Sequence, residues 1–189
     1  MKINNRDLIE DLIQRTKDVM NAAIELESLN NEILNWRSSE KSWSVLECFE
    51  HLNRYGDFYL SEIEKSINEG KKVEENEIFK SGWLGNYFAN SMLPKEKLNK
   101  MNTFKSMNPL GSALDKSTLE KFINQQKQML QLLGKARTVD LSKTKTAISI
   151  SNWIKLRLGD TFRVVIYHNQ RHVVQARKVL AQQKSLVMS

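Results

Sequence analysis

The sequence predicts an all-α fold, a four-helix bundle, on three observations. Four long stretches repeat apolar residues at three- and four-residue steps, the spacing that gives a helix one apolar face. No stretch alternates apolar and polar residues convincingly enough to read as a half-buried strand. The 189 residues include only seven glycines and two prolines, few for a β-rich protein of this length. Four amphipathic helices bury their stripes most simply against one another.

The first helix is expected over roughly residues 5 to 28, where Leu8, Ile9, Leu12, Ile13, Val19, Met20, Ala23 and Ile24 share a face. The second opens at Ser44, because Ser44-Val45-Leu46-Glu47 is a capping box. In that motif the serine accepts from the third amide while the glutamate reaches back to the serine amide. This helix runs to about Asn68, before Gly70, with Leu52, Tyr55, Tyr59, Ile63 and Ile67 turned inward. An irregular stretch follows from Gly70 to Lys116, punctuated by Pro94 and Pro109. Within it, GWLGNYFANSML gathers Trp83, Leu84, Tyr87 and Phe88 into a short helix or a lid.

A second capping box, Ser117-Thr118-Leu119-Glu120, is expected to start the third helix, which Gly134 ends. Its core positions are Phe122, Ile123, Met129, Leu130 and Leu133. A connection over 135–159 carries Ile148, Ile150, Trp153 and Ile154. Asp160 reads as the cap of the fourth helix, which continues to about Gln183. The connections after the second and third helices are long enough to cross the end of a bundle, so helix order is left open by length alone.

The whole chain, 1–189, suits one domain with a single sizeable core. No apolar run approaches the roughly 18 residues needed to span a membrane. The start, MKINNRDLIEDLIQ, is acidic where a signal peptide is apolar. The single cysteine, Cys48, excludes an internal disulfide framework and fits a reducing compartment. A soluble cytoplasmic protein is expected. The net charge of +7 raises the question of nucleic acid. Its densest clusters are Lys95, Lys97, Lys100 and Lys105, then Lys143 and Lys145. Neither carries a recognition-helix signature or a stacking platform, so no nucleic-acid partner is expected. Such a charge keeps a domain soluble and draws in anionic small molecules.

The three histidines carry the chemistry. His168 and His172 lie four residues apart in RVVIYHNQRHVVQARKVL, which stacks their side chains on one face of the fourth helix. His51 lies on the second helix beside Cys48, Tyr55 and Phe58. Together they are a candidate facial site for one divalent metal ion. Three neutral nitrogens leave a coordination position open for water or substrate, which separates catalytic from closed structural sites. The alternative is three unrelated histidines, one or two of them on a solvated face. The row Thr161, Val165, His168, His172, Gln175, Val179 turns the pair towards the interior, where an unsatisfied imidazole costs about 1–3 kcal/mol.

Cys48, one turn before His51, is a possible fourth ligand or simply a small buried hydrophobe. Gln175 is placed to orient the ring of His172. Glu47 is also one turn from His51, but the capping box accounts for it. Arg171 and Arg177 are expected to meet acidic groups or solvent, and Trp36 and Trp43 to be core or to line a pocket. There is no Gly-rich phosphate loop, no CxxC and no HExxH. Any catalysis therefore falls to the metal, as a Lewis acid or by lowering the pKa of bound water or thiol.

Trp43-Ser44, then Glu47, then His51-Leu52 resembles the second-helix signature of the DinB-like superfamily. Leu158-Gly159-Asp160, then His168-x-x-Arg171-His172-x-x-Gln175, resembles its fourth-helix signature, and the likeness spans nearly the whole chain. The resemblance implies a bundle of up-down-down-up topology, often a dimer. It also implies zinc or nickel held by His51, His168 and His172. Such relatives include thiol S-transferases using bacillithiol or mycothiol, mycothiol-dependent maleylpyruvate isomerase, and metal-dependent hydrolases. Many carry Glu directly after the first histidine of the fourth-helix pair, where this chain has Asn169. Nothing in the sequence supports DNA binding, despite the family name.

Two functions are expected from this. One is an enzyme whose metal activates a low-molecular-weight thiol, or water in a hydrolase, for attack on an electrophile. The other is a non-catalytic metal- or ligand-binding stress-response protein. An exposed apolar patch around Trp83 and Phe88, or a coordination position closed by Cys48, favours the second.

Overall fold

The computed structural model describes residues 1–74, 77–94, 102–149 and 151–187, without the side chains of Asn152 and Val187. Lys95, Lys97, Lys100 and Ile150 lie outside the described residues. Most of the chain is helical. In order it forms β1 (Lys2–Asn4), α1 (Asn5–Leu26), α2 (Asn31–Asn35), α3 (Val45–Glu69), β2 (Ile78–Lys80) and α4 (Trp83–Met92). A single 3-10 turn at Lys105–Met107 precedes α5 (Ser117–Ala136), β3 (Lys145–Ile148), β4 (Ser151–Arg157) and α6 (Leu158–Val187).

The four long helices are α1, α3, α5 and α6. Both α1 and α3 pack on α5 and on α6, while α4 lies along α6. Their apolar stripes form two clusters stacked along the helices. One holds Leu8, Ile9 and Leu12 of α1, Tyr59 to Ile67 of α3, Met129 to Ala136 of α5, and Leu158 to Tyr167 of α6. The other holds Val19 to Leu26 of α1, Val45 to Leu52 of α3, Leu119 to Ile123 of α5, and Val173 to Val179 of α6. Fully buried Phe49, Phe79, Phe122 and Phe162 anchor them; each such side chain contributes about 1.5–3 kcal/mol by leaving water. Ile24, expected on the inner face, is 45% exposed near the end of α1.

Between the clusters, each long helix turns polar. Buried Thr16, Asn53, Gln126 and Asn169 fall there, with His51 and His172. Thr16 donates back to the Leu12 carbonyl at 2.8 Å, and Asn53 donates to the Thr118 carbonyl at 2.9 Å. Asn169 donates to Gln126 Oε1 at 3.1 Å. The buried layer is thus tied helix to helix, as a polar layer in a core must be.

Several sequence expectations need correction. Two short antiparallel strand pairs exist, β1 with β2 and β3 with β4. The alternation in β3, with Thr146 and Ile148 inward between outward Lys145 and half-buried Ala147, is too brief to register as a period. The Ser117 capping box does not form: Lys116 is the N-cap, without a side-chain bond. Ser117 instead pairs with Asp115, whose carboxylate accepts both its amide (2.9 Å) and its hydroxyl (2.5 Å). The helix also runs past Gly134 to Ala136. Asp160 does not cap α6, which starts at Leu158. It is fully buried in the first turn, accepting from the Ser81 hydroxyl, from the Gly82 amide (2.7 Å) and from Arg163 (3.1 Å).

Candidate metal centre

His51 sits on α3 two turns in from a formed capping box. The Glu47 amide donates to Ser44 Oγ at 3.1 Å, and the Ser44 amide donates to Glu47 Oε2 at 2.8 Å. Buried Glu47 does more than cap. It takes two bonds from Arg37 (2.6 and 2.9 Å) and one from the Gly111 amide (2.6 Å). The carboxylate therefore fixes the start of α3 against the segment that arrives from residue 102 onward. Gly111 turns there with φ of 83°, a conformation that L side chains rarely adopt.

The structure brings His51, His168 and His172 together. Nε2 of His51 lies 3.2 Å from Nε2 of His168, which lies 3.0 Å from Nε2 of His172. Their opposite nitrogens have acceptors. His51 Nδ1 meets the Met107 carbonyl at 2.7 Å, and His172 Nδ1 meets Gln175 Oε1 at 2.9 Å. A carbonyl only accepts, so the ring proton of His51 is on Nδ1 and its Nε2 presents a lone pair. The Gln175 oxygen fixes His172 in the same way. Two lone pairs thus point at a third imidazole with one proton at most to share, an arrangement that a cation resolves. Nitrogens bound to one zinc at 2.0–2.1 Å lie about 3.0–3.4 Å apart. The donor set, with all three ligand atoms within 4.8 Å of one another, fits a divalent ion.

The surroundings keep these rings neutral. Burial pulls His51 down to about 4, helped by the nearby Arg54 charge and opposed by the Met107 bond. Burial takes His172 to about 3, with His51 and Arg171 adding to it and the Gln175 bond opposing. His168 is likewise held well below its ordinary value, first by burial and then by its two partner imidazoles and Arg171. Neutral imidazole is the form that ligates metal.

Aromatic rings wall the cluster. Trp43 lies 4.7 Å from His51 and 5.7 Å from His172, and Tyr55 lies 4.9 Å from both His51 and His168, centroid to centroid. As a residue His168 is half-buried, beside buried His51 and His172. Trp36 packs at the edge of the second core cluster. Arg177 reaches Glu25 at 3.5 Å on the surface, whereas Arg171 is buried. Asn169 points away from the imidazoles, towards Gln126 on α5.

Gln175 Oε1 lies 2.9 Å from His172 Nδ1. Cys48 is fully buried within the apolar cluster of Phe49 and Leu46, and burial pushes its thiol pKa up. It is not part of the three-histidine group. The Met107 carbonyl had no signal in the sequence, since any residue has one. Trp43 was legible as a site neighbour only through its closeness to the capping box.

A family model described as the DinB superfamily matches residues 12–176. No curated protein and no solved structure matches the chain.

Proposed function

The chain belongs to the DinB superfamily, and from that premise we propose a divalent-metal-dependent enzyme with His51, His168 and His172 as ligands. Zinc or nickel is the ion that the family resemblance implies, and neutral imidazoles suit both among other divalent ions. The reaction is transfer of a small thiol to an electrophile, or hydrolysis where water takes the thiol's place. The observation that carries this reading is the convergence of three Nε2 atoms at 3.0–3.2 Å steps, two of them bare because Met107 and Gln175 hold the opposite protons.

A bound divalent ion supplies Lewis acidity, bringing the pKa of a coordinated thiol or water towards neutrality. The chain supplies the rest. Met107 and Gln175 orient two rings, and Trp43 and Tyr55 wall the cluster on its sides. Cys48, deep in the core with a raised pKa, supports an open rather than a closed fourth position. The two clusters shared in opposite halves by α1 and α6 against α3 and α5 support a single up-down-down-up four-helix bundle over 1–189. We read it as a cytoplasmic protein, since its single cysteine suits a reducing compartment, and as a dimer, as the family resemblance implies.

Of the expected patch on α4, Trp83 is 85% exposed and Phe88 half-buried; Trp83, with exposed Tyr87 (62%), favours the second reading, a binding protein whose metal stabilises the fold. Cobalt-substituted protein separates the two. Thiolate charge-transfer bands that appear only on adding a small thiol, with turnover of a thiol-plus-electrophile or hydrolysable panel, support the enzyme. Stoichiometric metal without turnover on any panel, and histidine variants altered only in stability, would leave the binding protein.

A further inference from the structure

Arg54 bonds to the main chain on both sides of Met107. One turn beyond His51 on α3, its Nη1 donates to the Ser106 carbonyl at 3.2 Å and to the Asn108 carbonyl at 3.0 Å. These two carbonyls flank Met107. Held from both sides, the Met107 carbonyl is left facing His51 Nδ1 at 2.7 Å. Arg54 is itself fixed, its Nε donating to Glu50 Oε1 at 2.9 Å on the preceding turn. Trp43 Nε1 donates to Asn108 Oδ1 at 3.1 Å, so the same short segment is tied to the ring that covers the imidazoles. One guanidinium thereby connects the α3 surface, the 106–108 main chain and a site imidazole.

We propose that Arg54 is a positioning residue for the metal centre: it sets the tautomer and orientation of His51 through the 106–108 main chain. This rests on the metal reading above. A histidine ligand whose outer hydrogen bond is removed typically loses about 10–100-fold in metal affinity, and Arg54 acts one bond further out. Its contribution is to keep a main-chain carbonyl from drifting out of reach.

The test is zinc titration of apo-protein against a chromophoric chelator, for wild type, Arg54→Met and Arg54→Lys, beside thermal unfolding of each apo form. Arg54→Met keeps the aliphatic stem and removes every donor; its zinc affinity should fall about tenfold with little change in apo unfolding. Arg54→Lys, which keeps the charge and some donors, should recover part of the loss. Wild-type affinity in a folded Arg54→Met variant overturns the proposal. Long-range nitrogen–proton NMR of wild-type apo-protein gives a reading without substitution. A proton on His51 Nδ1 is expected, and one on Nε2 overturns the proposal whether or not the variants fold. If wild type takes up no zinc yet His51 holds its proton on Nδ1 and loses it to Nε2 in Arg54→Met, the metal reading fails and the positioning stands.

Discussion

His51 and His172 each fix a proton on Nδ1 and turn a bare Nε2 inward, so the residues behind them matter as much as the rings. Replacing Gln175 with Ala frees the His172 ring and should weaken zinc binding about 10–100-fold, read by chelator competition. The depressed imidazole pKa values make stability depend on pH in a fixed sense. An unfolded histidine titrates near 6.5, whereas folded His51 and His172 titrate at about 4 and about 3. Above about pH 6.5 neither state takes up these protons, and the contribution is constant. As pH falls from there towards 4, the unfolded chain binds protons the folded one refuses, and stability is lost. Urea unfolding of apo-protein at pH 7.5, 6 and 5 should show that fall, reduced in the His51→Gln variant. The imidazole row was legible because helical spacing alone puts His168 above His172. The Met107 carbonyl was not, because it comes from a main chain distant in sequence.

Among the elements, α4 shows how a short helix is held against a long one, α6. Gly85 lets α4 approach α6 so closely that an added Cβ would lie 2.5 Å from the Asp160 carboxyl carbon. Buried Asp160 then binds Ser81 and Gly82 at the start of α4, and its partner Arg163 reaches Asn86 and Asn90 along it. Asp160→Ala would leave Arg163, 3% exposed at its side chain, as an uncompensated buried charge. Loss of about 3–5 kcal/mol is expected by denaturant unfolding, with faster proteolysis within 81–94. Asp160 reads from sequence as a cap because a lone Asp ahead of a long apolar row is usually one. Its true partners lie in the 81–90 segment, which no local pattern connects to it. The Ser44 box was legible because both its members are local, whereas Asp115 displaced the Ser117 box by offering a nearer acceptor.

Across the whole molecule, the polar layer between the two apolar clusters places the imidazoles where a bound ion would bridge α3 and α6. An ion that binds only the folded chain adds about 4 kcal/mol at a thousandfold excess over its dissociation constant. Zinc should therefore raise the thermal midpoint of wild type and leave that of a His168→Ala/His172→Ala variant unmoved, by calorimetry. The overall helical pattern was legible because long amphipathic rows record burial directly. The β1–β2 pair was not, since it joins Lys2 to Lys80, and the local β3–β4 pair was too brief to show a period. The most direct test of the central claim is metal content by mass spectrometry of tag-free protein beside that double variant. The account predicts about one zinc or nickel ion per chain, absent from the variant. No metal in either protein, and no uptake on titration, would contradict it.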